Sequence, residues 1–341
     1  MIRRPLLLLL AAALLPAALA GCGGPASQAS TGSSSSGGGG TKLSLVAYST
    51  PQEAYKDLIP AFQKTSAGKG VSFDQSYGAS GDQSRSVAAG LPADIVALSL
   101  APDVDKLVEP GLVDANWTKA TPDNGFVTNS VVVFVVRKGN PKHIKTWDDL
   151  IKGNTQVLTP NPFTSGGAKW NLMAAYGSQI KQGKSPDEAL AYLKSLLQHV
   201  PVQDKSGRES LQTFLNGKGD VSLSYENEAI NAQQKGQDVD YVIPDQTILI
   251  QNPAAVTKDA KPQAKAFLDW LHTDAAQKIY AKHGYRPVKS SLVDAKQFPQ
   301  PKALFTIDDL GGWSKVNTDF FDPTNGSVAK IEQDLGVSTA K

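Results

Sequence analysis

Apolar and polar positions along this chain change period again and again between that of a strand and that of a helix. Residues 43–48 form a short β-prone run; Tyr55, Leu58, Ile59 and Phe62 then recur at helical spacing behind Ser49-Thr50-Pro51. Residues 71–75 predict a second strand, a helix follows from Gly81 through Ala89, and residues 94–98 predict a third strand. Helices alternating with strands imply an α/β protein with a parallel sheet covered on both faces.

Residues 131–136, Val-Val-Val-Phe-Val-Val, are the most β-prone run in the chain, and they follow a loop containing Pro122 and Gly125. The rhythm then restarts. Strands are expected at 155–159, 220–225 and 248–256, and helices at 168–176, 186–198 and around 212–215. A long helix is expected over 264–283, with Phe267, Leu271 and Ile279 on one face and Gly284 at its end. The pattern divides into two α/β lobes, residues 42–125 with 254–341 and residues 126–253, with chain crossings near 125–136 and 248–256. It contains no internal repeat.

Before residue 42 the periodicity stops. Arg3 and Arg4 precede an apolar run from Pro5 to Ala20, the layout of an export signal over residues 1–21. The run is shorter than the ~20 residues that span a bilayer, and Pro16 interrupts it. Leu19-Ala20-Gly21-Cys22 resembles the bacterial lipobox, in which the chain is cut before a cysteine that is then lipidated, and Cys22 is the single cysteine. Lipid on Cys22 would contribute about 0.8 kcal/mol per buried CH₂ and hold the protein at a membrane face without spanning it. Residues 23–41 are almost wholly Gly, Ser, Ala and Thr, a flexible tether that with Cys22 makes up residues 22–41 and reaches about 25 Å.

Composition narrows the function. The chain has 34 Lys+Arg and 32 Asp+Glu, a formal charge of +2. Without the export signal 32 bases balance 32 acids, which leaves no global field for nucleic acid or an anionic bilayer. Enzyme signatures are sparse. His143, His199, His272 and His283 show no metal-ligand spacing, and neither G-x-S-x-G nor a Walker A loop occurs. The acid pairs Asp148/Asp149, Asp187/Glu188 and Asp308/Asp309 read as helix starts, and His283 as a helix C-cap. The expectation is a protein that is not an enzyme and needs no metal or cofactor.

What recurs instead is small polar residues and glycines just ahead of predicted helices: Ser49-Thr50-Pro51, Gly78-Ala79-Ser80-Gly81, Thr164-Ser165-Gly166-Gly167 and Ser206-Gly207-Arg208. Each presents unpaired N–H groups at the positive end of a helix dipole. Any one is an ordinary N-cap. Four in one α/β chain, at strand ends where open sheets bind ligands, point to convergence on an anion. Trp170 reads as core, whereas Tyr225, at the end of a strand, has a hydroxyl that could donate to an anion.

At these residues the sequence resembles the periplasmic sulfate-binding proteins, the substrate-binding components of sulfate/thiosulfate ABC importers. The likeness covers nearly all of residues 42–320. It rests on Asp74-Gln75-Ser76-Tyr77-Gly78-Ala79-Ser80-Gly81, Val136-Arg137-Lys138-Gly139-Asn140-Pro141, Thr159-Pro160-Asn161-Pro162, Ser165-Gly166-Gly167-Ala168-Lys169-Trp170-Asn171, Glu226-Asn227-Glu228-Ala229, Tyr285-Arg286-Pro287 and Leu304-Phe305-Thr306-Ile307-Asp308.

The resemblance implies a type II periplasmic-binding-protein fold: two Rossmann-like lobes, joined by a two-crossing hinge, that close on one desolvated sulfate. Carried over by position, Ser80 donates from the first lobe, and Ser165, Gly166 and Gly167 from the second. Gly207 supplies a backbone N–H. Tyr225 stands where the best-known members have a tryptophan donor, and a phenol can also accept. Ser49, Gln52, Gly81 and Arg208 are supporting positions, Ser49 and Gln52 departing from an aspartate and an arginine of the family pattern. The implied function is extracytoplasmic binding of sulfate, and of thiosulfate, for delivery to membrane permease subunits by a monomeric, lipid-anchored receptor outside the cytoplasmic membrane or in the periplasm. The alternatives are a receptor for molybdate or another tetrahedral oxyanion and, from another class, an exported hydrolase using Ser165 or Ser80.

Overall fold

Nine strands of the computed structural model, which describes residues 40–294 and 296–339, join in one mixed sheet. The export signal, Cys22 and the tether up to residue 39 lie outside the described residues. The strands are β1 (Thr41–Tyr48), β2 (Val71–Gly78), β3 (Ile95–Ala97), β4 (Phe126–Arg137), β5 (Val157–Leu158), β6 (Val221–Tyr225), β7 (Val239–Val242), β8 (Gln246–Val256) and β9 (Ala303–Phe305). Their order is β2-β1-β3-β8-β4-β6-β5, with β7 added on β4 and β9 on β8. The helices are α1 (Gln52–Gln63), α2 (Ser80–Ala88), α3 (Ala101–Asp105), α4 (Gly166–Lys181), α5 (Pro186–Gln198), α6 (Gly207–Leu215), α7 (Glu226–Gln234), α8 (Pro262–Leu271), α9 (Asp274–Lys282), α10 (Gly312–Phe321) and α11 (Ser327–Asp334).

The expected all-parallel sheet is mixed. β1 pairs in parallel with β2 and β3, and β5 with β6, as βα units require. β8, however, runs antiparallel to both β3 and β4, with Val96 opposite Ala255 and Val131 opposite Leu249. β4 is also antiparallel to β6 and β7. These two long strands, of 12 and 11 residues, occupy the segments 125–136 and 248–256 where crossings were expected. β4 reads as an unbroken apolar run because both of its faces are buried. Val132, Phe134 and Val136 pack with Trp147 and Trp170, while Val131, Val133 and Val135 pack with Leu211 and Phe214.

The helix expected over 264–283 is two, α8 and α9, broken where the Thr273 hydroxyl caps the second by accepting from the Ala276 N–H. α3, α7, β7, β9, α10 and α11 were not read from the sequence. The last two matter for packing. Val316, Phe320, Phe321, Val328 and Ile331 bury beside Tyr176 and Leu193, so residues 303–335, grouped above with the first lobe, pack on α4 and α5. Leu43, Leu45, Tyr55, Phe62 and Phe267 form a separate cluster between β1, α1 and α8. Among the described residues no helix is long and apolar enough to cross a membrane.

Candidate functional site

Helices α1, α2, α4 and α6 begin at the four junctions singled out in the sequence, and residues from all four line one cavity. From the first come Ser49 and Thr50, from the second Gly78, Ala79 and Ser80, from the third Ser165 and Gly167, and from the fourth Ser206 and Gly207. Tyr48, Ser99, Asn171, Leu223, Ser224 and Tyr225 complete a space of about 360 Å³ counted out to its mouth. No carboxylate, ammonium or guanidinium is among these residues. What the cavity offers is hydroxyls, one amide and the first-turn N–H groups of helices, which have no intrahelical acceptor.

The helix starts have local causes. Ser165 caps α4 by accepting from the Ala168 N–H at 3.4 Å, and Ser206 caps α6 by accepting from Glu209 N–H at 3.2 Å, with the Glu209 carboxylate returning to Ser206 N–H at 3.0 Å. The Ser80 hydroxyl does not face a ligand. It donates to Asp103 Oδ2 at 2.7 Å and accepts from the Ser99 N–H at 3.0 Å, so what Ser80 can offer the cavity is its backbone N–H. Gly166 is set by close approach: a Cβ there would lie 2.7 Å from Ser99 Oγ and 2.9 Å from Leu100 Cγ.

Four of the proposed positions stand outside the lining. Gly166 lies beside it, between Ser165 and Gly167. The Gly81 N–H is used elsewhere, donating to the Thr164 carbonyl at 3.1 Å. Gln52 is half-buried at the start of α1, its N–H 3.5 Å from the Ser49 carbonyl. Arg208 turns away from the cavity. Its Nε and Nη2 reach the Glu228 carboxylate, each at 2.8 Å, and Nη2 also donates to the Thr50 carbonyl at 2.8 Å. Burial opposes its charge, but the Glu228 carboxylate outweighs that and holds the guanidinium above its ordinary range.

Sequence reasoning missed Tyr48, Ser99, Asn171 and Ser224. The signals were present: Tyr48 ends β1, Ser99 follows β3 closely, and Ser224 is beside the end of β6, the carboxyl ends where open sheets bind ligands. Asn171 is one turn beyond Gly167 on α4. Burial pushes the Tyr48, Tyr225 and Tyr285 hydroxyls above the usual tyrosine range, so they remain neutral donors and acceptors. Tyr225 Oη lies 2.7 Å from Ser99 Oγ, and Trp170, buried as expected, donates from its indole to the Ser99 carbonyl at 2.9 Å.

No histidine, carboxylate or lysine that could serve a serine nucleophile lines the cavity. Among the described residues no group of three His, Cys, Asp or Glu is arranged to hold a metal.

Residues 43–286 match a family described as bacterial extracellular solute-binding protein. A sulfate-binding protein of Synechococcus elongatus is 43% identical over 304 residues, covering 86% of this chain and 87% of the relative. A thiosulfate-binding protein of Pseudomonas aeruginosa is 36% identical, covering 81% of this chain and 88% of the relative. A solved sulfate-binding protein from Mycobacterium tuberculosis H37Rv superposes with a TM-score of 0.80 at 44% identity, covering 83% of this chain and all of the other.

Proposed function

The chain belongs to the sulfate-binding proteins of the bacterial extracellular solute-binding family, and from that premise we propose that its cavity captures sulfate, with thiosulfate as a second ligand, for delivery to an ABC permease. The single observation that carries this is the meeting of four helix starts and Tyr225 around a cavity without a charged side chain. A dianion enclosed there is neutralised by dipoles and hydrogen bonds alone.

In this reading Ser80, Gly166, Gly167 and Gly207 offer backbone N–H groups, and Ser165, Ser49 and Tyr225 offer hydroxyls. Gly81, Arg208 and Gln52 act behind them. The Gly81 amide and the Arg208 guanidinium link segments that close on each other. Sulfate is fully ionised at neutral pH, whereas inorganic phosphate keeps a proton that needs an acceptor; leaving it unpaired in a buried site costs about 1–3 kcal/mol. Sulfate is therefore favoured.

Closure involves two lobes, residues 42–125 with 254–302 and residues 126–253 with 303–339, joined at β4 and β8. Four contacts support the closed arrangement: Gly81 N–H to Thr164, Trp170 to Ser99, Ser99 to Tyr225 and Arg208 to Thr50. Either lobe alone supplies only part of the donor set and binds poorly. The receptor acts by binding and release, is exported, and is held by lipid on Cys22; Cys22→Ser would move it from the membrane to the soluble fraction.

The direct test is a thermal melt in sulfate, thiosulfate, molybdate and phosphate. Ligand at about 1,000 times Kd stabilises by roughly 4 kcal/mol. The expected outcome is a large shift with sulfate or thiosulfate and a smaller one with phosphate; no shift with sulfate or thiosulfate would end this assignment.

A further inference from the structure

Of the histidines His143, His199, His272 and His283, only His272 is buried, 4% exposed at the C-terminal cap of α8. Neither of its ring nitrogens has a hydrogen-bond partner among the described residues. Nδ1 is 3.5 Å from Asp123 Oδ2, longer than a formed N–H···O bond. A helix C-terminus favours a cation, as does Asp123, but a charge enclosed with so little to hold it is costly. Burial lowers the pKa of His272 below its ordinary 6.5; Asp123 and Asp269 pull the other way, and Lys289 adds to the lowering. Asp269 and Lys289 have partners of their own, Lys265 and Asp274. At neutral pH the ring is therefore uncharged.

The neighbours of His272 lead to a chain crossing. Asp123 and Asn124 hold left-handed φ angles of 59° and 55°, Gly125 has 79°, and β4 begins at the next residue. Such a run needs support from its surroundings, since only glycine takes that backbone freely. Gln277, fully buried, ties the two segments together. Its Nε2 donates to the carbonyl of Leu271, next to His272, at 2.8 Å and to that of Val127 on β4 at 2.9 Å. Its Oε1 accepts from the Val288 N–H at 2.9 Å. Val127 stands where β4 slips register against β8, between Phe126 and Thr128. A shift of the α8 end is thus passed through one amide to the bulge at the start of the crossing strand.

We propose that His272 is an acid-operated release on this crossing: its protonation opens the α8 end toward water, frees the Asp123–Gly125 turn and the start of β4, and so weakens sulfate retention in mild acid. The effect on sulfate rests on the capture reading above; the loosening of the turn does not. An enclosed ring holds a proton less tightly than an open one. The stability it gives the arrangement is therefore complete above about pH 6.5 and is lost as pH falls through the lowered value. By reciprocity sulfate, which favours closure, expels that proton. Sulfate itself stays fully ionised in mild acid, so the ligand adds no pH dependence of its own.

The test is calorimetric titration with sodium sulfate, at about pH 7.5 and about pH 5.5, of the wild-type protein, His272→Gln and Asp123→Asn. Wild-type affinity should fall about fivefold at the lower pH. His272→Gln, neutral at both, should change by less than about twofold. Asp123→Asn keeps a residue that tolerates the left-handed turn but removes the carboxylate that offsets the charge, so its fall should be deeper than the wild-type one. An equal wild-type affinity at the two pH values, a fall as large in His272→Gln, or a shallower fall in Asp123→Asn overturns the proposal. Hydrogen exchange over residues 123–128, corrected for its intrinsic pH dependence, gives a readout without ligand: opening should be faster at the lower pH in the wild type and not in His272→Gln. Protein that takes no sulfate at either pH yet shows this exchange loses the capture reading and keeps the loosening of the turn. Sulfate binding with unchanged exchange overturns the release and leaves the capture reading intact.

Discussion

The cavity and the layer directly behind it are made of different chemistry. The lining is glycines, hydroxyls, one amide and apolar carbon, whereas ion pairs stand one step back from it. Behind Ser80 is Asp103, 2% exposed and paired with Lys106 at 2.8 Å. Behind Gly207 is Arg208 with Glu228, and behind Tyr225 is Glu226, fully buried, with Arg286 at 2.6 Å. Charge thus braces the lining from behind without entering it. A guanidinium in the lining would attract any anion; fixed dipoles held from behind discriminate by shape and protonation.

Three substitutions probe that division. The largest effect is expected at the outer layer. Arg286 holds Glu226 through Nε and Nη2, donates to the Pro299 carbonyl, and pairs its backbone with Asn129 on the crossing strand β4. Arg286→Met leaves a buried carboxylate alone and should cost about 3–5 kcal/mol in urea unfolding. A loss under about 1 kcal/mol would mean that the pair is not holding the fold.

The cavity wall responds through affinity instead. Gly166→Ala would press a Cβ against Ser99 and Leu100 across the closed cleft, an overpacking of about 1–3 kcal/mol, or roughly 5- to 150-fold in sulfate affinity by calorimetry. Gly207→Ala keeps its N–H, and its Cβ would meet Thr50 Cγ2 at an ordinary 3.7 Å, so affinity should stay within about twofold. Equal losses in the two variants would contradict the packing drawn here.

The smallest effect is far from the cavity and depends on pH. Glu332 on α11 is fully buried, its carboxylate accepting from Gln203 Nε2 at 2.9 Å on each oxygen, and burial raises its pKa above the ordinary 4.5. The folded chain therefore holds that proton more tightly than the unfolded chain. The stability this gives is complete below about pH 4.5 and is lost as pH rises through the folded value. Glu332→Gln should melt above the parent at pH 7.5, with the difference closing as pH falls; a gap independent of pH would exclude burial as the cause.

The same division explains what was legible in the sequence. The helix starts were readable because N-caps, glycines and period changes are local, and Val131–Val136 announced a doubly buried strand. The way charges were used was not readable. Arg208 and Gly81 sit at the right junctions, yet their partners Glu228, Thr50 and Thr164 are 20 to 158 residues away, and only the fold aims them away from the cavity. Ser99 was missed for a similar reason, its partner Tyr225 being 126 residues distant. The break at Thr273 was a local signal outweighed by apolar periodicity running through it. The mixed sheet followed from β8 returning between β3 and β4, which strand-by-strand periodicity does not encode.

The most direct measurement is a crystal structure grown in sulfate. The expected result is one anion within hydrogen-bond distance of the Ser80, Gly166 or Gly167, and Gly207 N–H groups and of the Tyr225 hydroxyl, with Arg208 still on Glu228. A sulfate bound instead to Arg208 or to surface lysines, with the cavity holding water, would contradict capture by dipoles.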